Sequence, residues 1–115
     1  MSKYRTPLRY PGGKQRLTPF FVELLEANSA VGWDYVEPYA GGAGVAMELL
    51  LDDKVRHVHL NDSSRPLYAC WKAMLSDPER FCQRISRASL TVDAWKRHPD
   101  IVRCPDEHDI SGSCQ

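Results

Sequence analysis

Apolar residues recur at helical spacing through Leu17, Phe20, Phe21, Leu24 and Leu25, which predicts a helix with one buried stripe. Thr18 is the expected N-cap with Pro19 in the first turn, and Asn28 and Gly32 are expected to close the helix. The pattern then shortens: Tyr35 to Glu37 reads as a strand, ended by Pro38 and the glycines that follow. Val45, Ala46, Leu49 and Leu50 restore the helical period, so a second helix is expected from about Ala43 through Leu51. Residues 55–60 alternate, with Val58 and Leu60 set among His57 and His59, as a half-buried strand does. Ser64 and Pro66 open a third helix carrying Leu67, Cys70, Trp71, Met74 and Leu75 on one side. Asp77-Pro78 opens a fourth, with Phe81 and Ile85, and Thr91 through His98 predicts a short last helix stopped by Pro99.

Ahead of these elements, Pro7, Pro11, Gly12 and Gly13 make residues 1–16 an extended arm and turn. The resulting order is helix, strand, helix, strand, helix, helix, with the short last helix after them. Strands that alternate with helices belong to the α/β class, with a parallel sheet covered by helices. Only two strands are legible, whereas a doubly wound sheet has five or more. The expected architecture is therefore a partial Rossmann-like fold, the N-terminal half of a doubly wound sheet, incomplete in this chain. Residues 1–103 form that unit, and 104–115 are expected to be an irregular acidic tail with Asp106, Glu107 and Asp109.

Composition bounds the chemistry. In a chain of 115 residues, 43% hydrophobic and 26% charged content suits one small soluble domain. The net charge of +0 conceals a basic start, because Lys3, Arg5, Arg9, Lys14 and Arg16 precede the first acid, Glu23. Arg80, Arg84 and Arg87 share a helical face and are candidate phosphate contacts, although a solvated face is the better account of them. Cys70, Cys82, Cys104 and Cys114 have no Cys-x-x-Cys spacing, so neither they nor His108 predict a metal site. The longest apolar run, Val45 to Leu51, is too short to span a bilayer, and no leader pattern opens the chain. Reduced thiols in a cytoplasmic protein are expected.

Three segments carry candidate chemistry. The first is Tyr35-Val36-Glu37-Pro38-Tyr39-Ala40-Gly41-Gly42-Ala43-Gly44, at a strand-to-helix turn where glycine lets the backbone approach a neighbour closely. The Glu37 carboxylate falls at the carboxyl end of a strand, where open α/β sheets bind ligands. A dinucleotide fingerprint does not fit, since its third glycine counted from Gly42 falls on Met47, and Glu37 would repel phosphates. A sulfonium cofactor suits this prelude better. The second segment is Asn61-Asp62, twenty residues beyond Gly42, where an acid after the second strand can accept ribose hydroxyls or cap the next helix. The third is Leu8-Arg9-Tyr10-Pro11-Gly12-Gly13-Lys14; a phosphate loop would need glycine at position 8 and Ser or Thr at position 15, where Leu8 and Gln15 stand.

In this order the three segments resemble the Dam-type family of DNA adenine-N6 methyltransferases. The resemblance covers roughly residues 5–75. It implies S-adenosyl-L-methionine as cofactor and DNA as partner. It also implies that Tyr10 and Lys14 contact the cofactor, that Glu37, Pro38, Tyr39, Gly41, Gly42 and Gly44 line its methionine part, and that Asp62 holds the ribose. Tyr39 stands where the family often has phenylalanine. The family's Asp-Pro-Pro-Tyr/Phe motif, whose acid and ring hold the flipped adenine, has no counterpart in this sequence. Asp77-Pro78 continues as Glu79-Arg80 and reads as a helix start. The DNA-recognition region is likewise absent, so no catalytic residue is assigned and the chain is expected to be inactive alone. The alternative is a non-catalytic remnant that binds cofactor or DNA with a partner chain.

Overall fold

A computed structural model describes residues 5–10 and 12–103. The expected acidic tail, with Cys104, His108 and Cys114, lies outside the described residues. The chain divides into two compact units between Ser63 and Ser64.

In the first unit a 3-10 turn (Gln15–Leu17) runs directly into α1 (Thr18–Ala27), followed by β1 (Asp34–Glu37), α2 (Gly44–Leu51) and β2 (His57–Leu60). Thr18 is not the N-cap. Because the 3-10 turn already gives the Leu17 N–H a partner in the Lys14 carbonyl, Leu17 takes the cap position and the Thr18 hydroxyl donates back to the Gln15 carbonyl. Asn28 ends α1, its side-chain amide donating to the Leu24 carbonyl. Gly32 lies beyond the helix with φ +84 and no atom near its missing Cβ. The helix expected from Ala43 starts at Gly44, with Ala43 as cap in the left-handed region.

β1 and β2 pair in parallel, in the register Asp34↔His57, Tyr35↔Val58, Val36↔His59, Glu37↔Leu60. Alternation sends Tyr35 and Val58 into the core of Val45, Leu49 and Val55, where Phe21, Val22, Leu25 and Leu50 also pack. Of the expected stripe, Phe21 and Leu25 pack on this core, whereas Leu17, Phe20 and Leu24 are exposed. Two overlapping apolar stripes run along α1, and the core takes the one holding Phe21 and Leu25. Phe21 meets the Tyr35 ring edge-on, centroids 6.3 Å apart. This is a mixed helix–strand unit with a two-stranded parallel sheet, compatible with part of an α/β fold.

The outer side of the strands gathers Asp34 with Arg56, His57 and His59. Asp34 accepts from the guanidinium at 3.1 Å and lies 3.1 and 3.3 Å from the two imidazoles. Bonds from His57, His59 and Arg56 lower its carboxyl to about 2. A depressed carboxyl contributes stability above its ordinary value of 3.8, and that contribution is lost as pH falls toward 2. A carboxyl NMR titration should place the Asp34 midpoint near 2 at low salt. Because the site is exposed, high salt should return it toward the ordinary range.

The second unit holds α3 (Arg65–Ser76), α4 (Pro78–Arg87) and α5 (Val92–Arg103). Asp77 caps α4 by accepting the Arg80 N–H at 3.0 Å, and Thr91 accepts the Ala94 N–H at 3.1 Å at the start of α5. The stop expected at Pro99 does not occur; α5 continues to Arg103. A proline removes one donor and disfavours helix behind it, but these local costs do not end a helix on their own. No helix among the described residues is long and apolar enough to cross a membrane.

Candidate functional site

Parallel pairing sets the carboxyl ends of both strands side by side, so Glu37 closes β1 beside Leu60 and Asn61-Asp62 follow β2. Three hydrogen bonds stitch the two exits together. The Asn61 N–H donates to the Glu37 carbonyl (3.0 Å), the Ala40 N–H to the Asn61 carbonyl (2.9 Å), and the Asn61 side-chain amide to the Pro38 carbonyl (3.3 Å). Asp62 then reaches across, its carboxylate accepting the Gly41 N–H at 2.9 Å. Of the two readings of Asn61-Asp62, the structure engages both side chains with the β1 loop. Ser64 occupies the N-cap of α3 without a side-chain cap bond.

Glu37 is buried at 5% exposure. Its carboxylate accepts the Ala46 backbone N–H in the first turn of α2, and Lys14 Nζ stands 3.9 Å from Oε1. Oε2 is sealed from solvent and has no hydrogen-bond partner. Burial pushes the carboxyl above its ordinary value, opposed by the Lys14 charge and the Ala46 bond. Tyr35, on the same face of β1, is pushed up to about 12 by burial and then by the Glu37 charge. One oxygen of this carboxylate therefore lacks a hydrogen bond, although the group as a whole is paired with Lys14 and the Ala46 N–H.

The glycines play a part that sequence could not foresee. A Cβ on Gly41 would stand 3.0 Å from the Tyr10 ring, and one on Gly42 would stand 2.9 Å from Tyr10 Cβ and 3.0 Å from the Leu8 carbonyl. One on Gly44 would meet Gln15 at 3.0 Å. The close approach these glycines permit is therefore made by the chain's own N-terminal segment. That segment is held along the turn by several bonds. The Thr6 hydroxyl donates to the Gly42 carbonyl, Arg5 pairs with Asp52 beyond α2, and Lys14 donates to the Tyr39 carbonyl at 3.3 Å. Gly41 itself has φ +51, which favours glycine independently of the crowding.

Tyr10, Lys14, Glu37 to Gly44 and Asp62 thus meet in one place, with Pro38 and Tyr39 exposed at its rim. Thr6, Gln15, Ala46 and Asn61 were not assigned roles from sequence. Asn61 alone carried a signal, as a capping candidate; Thr6 and Gln15 act through partners 36 and 33 residues away, and Ala46 through its backbone N–H on nearby Glu37. Arg80 and Arg87 are exposed and Arg84 half-buried on α4, in the second unit, whereas this site lies wholly in the first. No cluster of metal-ligating side chains occurs among the described residues.

A family model described as D12 class N6 adenine-specific DNA methyltransferase matches residues 10–98. The chain is also similar to the type II methyltransferase M.MjaIII of Methanocaldococcus jannaschii, 28% identical over 105 residues. That match takes in 87% of this chain and 36% of the relative, so the chain spans about a third of the relative's length. No solved structure matches.

Proposed function

The chain belongs to the D12 class N6 adenine-specific DNA methyltransferase family, a family of transferase enzymes, and on that premise we propose that the joined exits of β1 and β2 hold S-adenosyl-L-methionine. The observation that carries the reading is the gathering of Glu37, Lys14 and Asp62 about the glycine turn at the carboxyl end of a parallel sheet. Glu37 supplies negative charge to a cationic ligand, and Asp62 accepts from ribose hydroxyls while it anchors Gly41. Lys14 and Tyr10 flank the turn, and Tyr39 gives an apolar rim. The cofactor supplies an activated methyl group on a sulfonium, and the acceptor is adenine N6 in DNA. β1 and β2 are then the first two strands of a Rossmann-like sheet in a cytoplasmic protein.

Adenine N6 is a poor nucleophile, and holding it requires acceptors and a stacking ring that this sequence does not contain in motif form. The 115-residue chain by itself therefore binds cofactor without transferring methyl groups. Calorimetric titration with S-adenosylmethionine should give a Kd below about 1 mM. Absence of measurable binding overturns the reading. Transfer of labelled methyl to adenine-containing DNA by the purified chain overturns the assignment of inactivity.

A further inference from the structure

Lys14 has a flexible four-carbon stem and a half-exposed head, yet its ammonium is brought to both Glu37 and the Tyr39 carbonyl. A side chain of that kind keeps one direction only if its backbone is fixed. The next residue supplies the fixation. The Gln15 side-chain amide donates to Glu48 Oε1 on α2 at 2.7 Å, and its stem lies where Gly44 leaves no Cβ, 3.0 Å from the position one would occupy. Its carbonyl accepts the Thr18 hydroxyl at 2.7 Å, and the Lys14 carbonyl accepts the Leu17 N–H at 2.8 Å. Gln15 is thus tied to α2 through its side chain and to the 3-10 turn through its backbone. Gln15 is also where a phosphate loop would carry Ser or Thr, so this residue marks a different device at that position.

We propose that Gln15, held by Glu48 and seated on Gly44, is a positioning residue that sets the Lys14 ammonium against the Glu37–Tyr39 loop. The consequence for function rests on the reading of Glu37 as the cofactor-facing carboxylate. The positioning itself does not, because Lys14 acts on Glu37 whether or not a ligand binds. Gln15 touches no reacting group; it works through Lys14.

The test uses Gln15→Met, which keeps the stem on Gly44 and removes the donor, beside Lys14→Met, which removes the charge. Carboxyl-detected NMR titration of the ligand-free chain follows Glu37. Lys14→Met should move the Glu37 midpoint upward, and Gln15→Met should reproduce most of that displacement. Gln15→Met should raise the Kd for S-adenosylmethionine about fivefold. An unmoved Glu37 midpoint in folded Gln15→Met overturns the proposal, as does an unmoved midpoint in Lys14→Met. Failure of the wild-type chain to bind S-adenosylmethionine, with both midpoints displaced, overturns the cofactor reading and leaves the positioning intact.

Discussion

Replacing Glu37 by glutamine should stabilise the chain and abolish its affinity for S-adenosylmethionine. Both effects come from one feature, a carboxylate with an unpartnered oxygen inside the fold. A buried ionised carboxylate is costlier to desolvate than an amide of the same shape. The amide retains an oxygen for the Ala46 N–H, so the substitution should gain about 1–2 kcal/mol at neutral pH. The sign with pH follows from the direction of the shift. The Glu37 carboxyl is raised in the folded chain, so ionisation penalises folding at neutral pH, and the penalty is relieved as pH falls through the folded value toward the ordinary one. Thermal denaturation of the wild type should therefore show this contribution rising on mild acidification, and Glu37→Gln should lack it. Retained cofactor affinity in Glu37→Gln would remove Glu37 from the site.

Gly42→Ala should be the most damaging single change in the turn. Its new methyl group meets Tyr10 Cβ at 2.9 Å and the Leu8 carbonyl at 3.0 Å. A flexible ring tip can swing aside, but a backbone carbonyl cannot without taking the segment with it. Overpacking of this kind costs about 1–3 kcal/mol, and here the strain is released by detaching residues 5–10 from the turn. Trypsin should then cut after Arg9 faster than in the wild type, and cofactor affinity should fall with the loss of Tyr10 and Lys14 from the site. Gly32→Ala is the matched control. Its φ of +84 is strained for alanine, but no atom lies within 4 Å, so it should cost about 1 kcal/mol and leave the tryptic pattern unchanged. Equal tryptic rates for the Gly42 and Gly32 variants would show that the segment is not held by this contact.

These two substitutions also mark how far the sequence could be read. Glu37 was legible as a candidate site residue because a carboxylate stands before a glycine turn at the end of a strand. Its missing hydrogen bond was not legible, because burial of Oε2 depends on how α2 folds back over the strand end. Gly41 and Gly42 were legible as positions of close approach. What approaches was not: the Tyr10 segment comes from about thirty residues upstream, and no local pattern encodes that meeting.

The sequence by itself determined the order of elements, the strand ends at Glu37 and Leu60, the proline-marked helix starts and the family, because propensity, capping and motif spacing act over a few residues. Tertiary structure decided the rest. It chose Phe21 and Leu25 over Leu17, Phe20 and Leu24 as the buried stripe of α1, since both stripes satisfy the same period and only the core can select one. It carried α5 past Pro99 and turned Asn61 and Asp62 back onto the β1 loop. It also set Lys14 beside Glu37 and Tyr10 against Gly41 and Gly42. Each of these site contacts joins residues some twenty or more positions apart, beyond the reach of any local signal and fixed only when two parallel strands bring their ends together.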